Sequence, residues 1–187
     1  MSRKVHLFEH PRRFLAGAVG EPGARTFFLQ AADGARLVSV VLEKQQVALL
    51  AERIEQLIAE VAARTGAPPP DNSGEVEALA LEEPLTEQFR VGAMALAWDA
   101  AADVVIIEAQ APAASEEAAQ AALLADVDEG PEALRVRLDP AEAWAFAERA
   151  RAVVAAGRPL CPLCAQSLDA SGHICPRQNG YHRPTEA

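Results

Sequence analysis

Residues 36–63 decide the fold class. They read Arg36-Leu37-Val38-Ser39-Val40-Val41-Leu42, then Glu43-Lys44-Gln45-Gln46, then Val47 through Ala63. The first seven residues offer two competing apolar faces at period two, the pattern of a strand buried on both sides. From Gln46 the period changes. Val47, Leu50, Ile54, Leu57, Ile58 and Val61 fall at helical spacing, and Glu52, Arg53, Glu55 and Glu60 face away. Gly66 and Pro68-Pro69-Pro70 end that helix, and residues 67–74 read as a linker or exposed loop.

The same alphabet extends in both directions. Upstream, Arg13 to Val19 and Thr26 to Ala31 suit strands. The turn signal Gly20-Glu21-Pro22-Gly23 separates them, and Asp33-Gly34 supplies a tight hairpin turn before Arg36. Downstream, Thr86 to Trp98 and Val104 to Ala109 read as strands, and Leu134 to Leu138 alternates strictly. Asp139-Pro140 pairs an N-cap with proline at the first helical position, and the helix runs through Trp144, Phe146 and Val153 to a stop at Gly157. Between these elements, residues 112–131 are rich in Ala, Glu and Asp. Ser115-Glu116-Glu117 offers a cap for a short helix reaching Leu124, with a disordered acidic loop as the alternative.

Three strands and a helix thus occur twice, and Phe14-Leu15-Ala16-Gly17-Ala18 resembles Phe89-Arg90-Val91-Gly92-Ala93. The expectation is an α+β fold built from a duplicated βββα unit with pseudo-two-fold symmetry. It would be a mostly antiparallel sheet with two helices and one continuous core. The body would span 1–156, with halves about 5–66 and 85–156, followed by a small zinc-binding tail over 157–187. Two unrelated α+β stretches sharing a short pattern are the competing reading.

Charge and composition narrow the function. The chain has 187 residues and a net charge of −10, which argues against gripping nucleic-acid phosphates or an anionic membrane surface. Arg3 and Lys4 are followed by His6, Glu9, His10 and Arg12-Arg13 rather than by the apolar core of a signal peptide. No stretch approaches the ~18 apolar residues of a membrane span. The chain is expected to be cytoplasmic, with protein or small-molecule partners.

The strongest chemical signal is near the carboxyl end. Cys161-Pro162-Leu163-Cys164 is followed, after eight residues, by His173-Ile174-Cys175. In a reducing cytosol clustered cysteines point to metal rather than to a disulfide. Cys-x2-Cys presents two thiolates to one tetrahedral ion, and His-x-Cys supplies the other two ligands. Cys161, Cys164, His173 and Cys175 would form a closed Cys3His shell, the mark of a structural Zn2+. His182 is the alternative fourth ligand. Such a site carries a net −1, which Arg158 and Arg177 could soften. The segment has few large apolar residues, so the metal would supply its folding energy.

Several of these stretches together resemble one family. Phe14-Leu15-Ala16-Gly17, Arg25-Thr26-Phe27-Phe28-Leu29-Gln30-Ala31 and Leu42-Glu43-Lys44-Gln45-Gln46 resemble the opening of an actinobacterial family of unknown function, about 190 residues long. Cys161-Pro162-Leu163-Cys164, His173-Ile174-Cys175-Pro176-Arg177 and Asn179-Gly180-Tyr181 resemble its tail. The resemblance implies that body and Cys/His tail travel together, and it carries over no catalytic residue.

Other polar groups have two readings each. Glu43 to Gln46 could rim a pocket with Glu43 as base, or cap the helix. His6 and His10 could act as acid and base, or be surface residues. Arg12, Arg13, Arg25 and Arg36 could converge on an anion. Trp98 and Trp144 fit the core. No nucleophile elbow, phosphate-cradling glycine loop or HExxH helix is present. The sequence therefore favours a non-enzymatic docking or regulatory protein. The alternatives are an active site in the body near Arg25, Glu43 and Gln46, or nucleic-acid binding through the zinc tail.

Overall fold

A computed structural model describes residues 3–66, 80–157, 163–164, 175 and 177. Strands β1 (Val5–Glu9), β2 (Arg13–Val19), β3 (Thr26–Asp33) and β4 (Arg36–Leu42) lead into helix α1 (Lys44–Thr65). Strands β5 (Glu87–Arg90), β6 (Ala93–Asp99) and β7 (Val104–Gln110), helix α2 (Glu116–Ala122) and strand β8 (Ala133–Leu138) then lead into helix α3 (Pro140–Ala155). The fold is α+β, with two mixed sheets and three helices among the described residues.

The helix ends follow from the sequence signals. At α3, Asp139 Oδ1 accepts the Glu142 N–H at 2.8 Å and Glu142 Oε2 accepts the Asp139 N–H at 2.9 Å, a full capping box with Pro140 behind it. At α1, Gln46 Oε1 accepts the Glu43 N–H at 2.8 Å. Gly66, at φ 71°, closes the other end by donating to Ala62. Ser115 caps α2 through the Ala118 N–H, so the acidic segment does hold a short helix.

Both sheets have one pattern. β2, β3 and β4 form an antiparallel meander, and β5 joins it in parallel beside β4. β6, β7 and β8 form a second meander, and β1 joins that one in parallel beside β8. Each sheet therefore takes its fourth strand from the other half of the chain. A sequence reading of three strands per half leaves a possible first strand around Phe8, here β1, out of the repeat, and it merges β5 with β6. These leading strands span only five and four residues, too few for alternation to announce them. The β5-to-β6 corner depends on Gly92, where a Cβ would lie 2.7 Å from Pro112 Cα. The likeness between 14–18 and 89–93 also joins strands that do not correspond. Phe14 lies in a meander strand, whereas Phe89 lies in a leading strand, as Phe8 does.

One core draws on both halves. Phe8, Phe14, Leu29, Val40 and Phe89 meet Ile107, Val136 and the buried faces of α1 and α3. The two helices pack on each other, and Ala143, Ala147 and Ala150 keep the α3 face small. Phe146, fully buried, stacks on Phe14 with ring centroids 4.5 Å apart. Replacing Phe146 with Ala should cost about 3–5 kcal/mol. Urea denaturation followed by both tryptophan fluorescence and circular dichroism checks this. The two signals should move together in a single shifted transition, because neither half holds a core of its own.

Candidate functional site

Polar chemistry in the body concentrates on the outer faces of the two sheets, away from the shared core. In the first sheet Gln30 is buried at the centre of β3, and its amide grips the returning chain at two points. Gln30 Oε1 accepts the Glu82 N–H at 2.7 Å, and Gln30 Nε2 donates to the Glu82 carbonyl at 2.9 Å and to Ser39 Oγ at 3.0 Å. The amide thus replaces a strand neighbour for residue 82. Arg12 and Arg13 hold the Glu82 carboxylate at 2.7 and 2.8 Å, and Arg13 also donates to the Ala80 carbonyl. The Arg12 hydrogen bond leads in holding the Glu82 carboxyl below its ordinary value, against the opposing effect of desolvation. Leu81 fills the space over Gly17, where a Cβ would lie 2.6 Å from Leu81 Cγ. Residues 80–85 are thereby strapped across the sheet.

The second sheet repeats the device with charge. Glu108, fully buried at the centre of β7, takes Arg3 Nη2 and Arg135 Nε at 2.7 Å each. Its Oε1 accepts the Leu124 N–H at 3.2 Å, which pins the segment after α2. Arg3 and Arg135 also donate to the Ala125 carbonyl, and Arg135 reaches Asp126 at 2.7 Å. That hydrogen bond leads in lowering the Asp126 carboxyl. Nearby, Gln110 is buried and donates to the Ala119 carbonyl.

A cleft of about 490 Å³ opens between β2, the 80–85 strap and the end of α3. Val19, Leu81, Leu85 and Val153 supply apolar walls, and Arg25 stands at its edge. The Arg25 guanidinium lies 5.2 Å from the Phe27 ring centroid and touches the Val153 carbonyl at 3.4 Å.

In the carboxyl-terminal segment, Cys161, His173 and His182 lie outside the described residues, as do Arg158 and Tyr181. Cys164 and Cys175 are described. Cys175 is 3% exposed, and Arg177 Nη1 donates to the Leu163 carbonyl at 3.0 Å, joining Arg177 to the turn that holds Cys164. Among the described residues no three His, Cys, Asp or Glu side chains form an ion-holding group.

The remaining sequence candidates are accounted for individually. Glu43 is exposed at the α1 cap and pairs with Arg90, while Gln46 completes the cap. His6 lies 2.6 Å from Glu132, and His10 lies 3.4 Å from Glu142 on the surface. The four arginines do not converge: Arg12 and Arg13 share Glu82, Arg25 reaches α3, and Arg36 covers the Phe8 ring. Trp98 and Trp144 pack against the core. Sequence reasoning missed Gln30 and Glu108. Each is a lone polar residue in an apolar run, Phe-Phe-Leu-Gln-Ala and Val-Ile-Ile-Glu-Ala, and that break was the available signal.

Two outcomes follow. Glu108→Ala should cost about 3–5 kcal/mol in urea unfolding, since it leaves two guanidinium groups buried without their carboxylate. The carboxyls of Glu82, Asp99 and Asp126 titrate below their ordinary values of 4.5 and 3.8. Their contribution is full above those values and fades as pH falls through the lowered ones. Thermal midpoints should therefore hold near neutrality and drop in acid below about pH 4. Glu82→Gln should show a smaller acid-dependent drop than the unmodified protein.

No helix among the described residues is long and apolar enough to cross a membrane. No curated protein and no solved structure matches the chain. One family model does match it, that of DUF3090, described as a protein of unknown function, over residues 6–175. The match runs from β1 through the shared core to Cys175, and on that extent the chain belongs to the DUF3090 family of proteins of unknown function.

Proposed function

We propose that the protein is a non-enzymatic cytoplasmic docking module. Its α+β body carries a zinc-stabilised C-terminal segment that engages a protein partner. The Arg177–Leu163 hydrogen bond carries this reading, because it draws the Cys164 turn and the Cys175 segment together while Cys175 is buried. Cys161, Cys164, His173 and Cys175 would hold the ion, and Arg177 would offset the net −1 of a Cys3His shell. A single ion bridging both arms supplies the folding energy that the few apolar side chains there do not. The family match covers the body and all four of these residues as one unit.

The same reading includes an internal duplication. Each half would be a leading strand, a three-stranded meander and a helix, with the leading strands exchanged between sheets. The matching strand orders support it, as does the recurrence of a buried polar residue, Gln30 and Glu108, at the middle of each meander. Both accept a backbone N–H from the segment crossing the sheet.

A docking role fits the way the body uses its polar groups. Gln30, Ser39 and Glu108 are committed to holding crossing segments, and Glu43 and Gln46 serve the α1 cap region. Residues 157–187 carry three Arg against Asp169 and Glu186, a net +1 beside an acidic body. That balance suits an acidic protein surface better than a nucleic acid, which would call for a larger positive charge.

Native mass spectrometry with elemental analysis tests the metal. The full chain should carry one zinc per molecule, and Cys164→Ser and Cys175→Ser should lose most of it while the far-ultraviolet circular dichroism of the body is retained. A chain that takes up no zinc, or variants that hold it as well as the unmodified protein, would overturn the reading.

A further inference from the structure

The end of α3 meets two cations that have no carboxylate partner among the described residues. Arg25 Nη2 and Lys44 Nζ lie 3.2 and 3.1 Å from the position a Cβ on Gly157 would occupy. Two like charges thus stand within roughly 6 Å of each other, an arrangement that an anion between them would relieve. Neither forms an ion pair among the described residues, although the chain carries ten excess negative charges. By contrast Arg3, Arg12, Arg13, Arg90, Arg135, Arg137 and Arg151 all reach a carboxylate.

Local structure holds Arg25 in this position. Its guanidinium lies over Phe27 and its Nη1 touches the Val153 carbonyl, which leaves Nη2 directed at the gap. Lys44 is fixed at its root as the first residue of α1. Gly157 keeps the gap open, since a side chain there would meet both cationic heads. The Val154 carbonyl, 3.5 Å from the same Cβ position, borders the gap as well and receives part of the positive field.

Arg25 is shared between the gap and the 490 Å³ cleft, and Ala156, the chain neighbour of Gly157, lines that cleft too. Of the two acids lining that cleft, Glu82 is neutralised by Arg12 and Arg13, and Glu83 is exposed on the strap. We propose that this cleft binds a small amphiphilic anion. Its carboxylate or phosphate head lies between Arg25 and Lys44, and its hydrocarbon body lies along Leu81, Leu85, Val19 and Val153. The side chains that would hold the anion all belong to the body, and none is among the four proposed zinc ligands.

Isothermal titration of the full chain with octanoate, octyl phosphate and the neutral 1-octanol tests this. Both anions should bind, 1-octanol should bind at least tenfold more weakly, and the stronger of the two anions identifies the head group. Arg25→Gln combined with Lys44→Gln should weaken the anions roughly tenfold or more, and Gly157→Ala should weaken them by filling the gap. Arg64→Gln, a charge change on the exposed end of α1, should leave affinity unchanged. Thermal melts confirm that each variant is folded. Anion affinity unaltered in the folded double variant, equal loss in Arg64→Gln, or no binding of either anion at millimolar concentration would overturn the proposal.

Discussion

The parallel pairing of β1 with β8, and of β5 with β4, is the constraint from which the rest of the structure follows. A three-stranded meander leaves the outer edge of its third strand unpaired, and here the missing partner comes from the far half of the chain. Residues 5–9 are held 128 positions away in sequence, beginning with Val5 opposite Ala133. Neither sheet is complete until both halves are present, so the core between them forms as one unit. Arg36 reinforces the exchange: it begins β4 in one sheet and donates to the Leu7 carbonyl in the other while covering Phe8.

Closing the core this way leaves each sheet with a second face to cover, and the protein covers both with irregular chain rather than with a long helix. Irregular chain brings backbone polar groups into contact with an apolar surface, where each needs a partner. Gln30 and Glu108 supply those partners from the sheet centres. The neutral amide suits a strap that also needs a donor, because it offers both functions to the Glu82 peptide. The carboxylate suits the second sheet because Arg3, ahead of β1, and Arg135, on β8, remove the cost of burying its charge and hold the crossing segment at the Ala125 carbonyl. The polar residues that look most like catalytic candidates inside the body are thus explained by what they hold in place.

Polar groups that neither the core nor the crossing segments use gather at the ends of the secondary structure. The 490 Å³ cleft, Arg25, Lys44 and Gly157 gather where α3 ends and the chain leaves for the cysteine segment. Strand and helix interiors are consumed by the core, whereas these junctions combine fixed backbone with accessible side chains. A single neighbourhood therefore holds the cleft and the point where the chain leaves α3.

Local pattern alone determined much of this protein. The meander strands, α1, the capping box of α3 and the short helix after Ser115 were legible because periodicity and capping are properties of neighbouring residues. Only the tertiary structure decided that β1 and β5 are separate leading strands and that they change sheets, since the pairing of four or five residues is set by a neighbour far away in the chain. It also decided the structural roles of Gln30 and Glu108 and the placement of Arg25 and Lys44 side by side. Whether a buried amide, a carboxylate or a cation is structural or available to a ligand depends on what stands opposite it, and those partners lie far away in the chain.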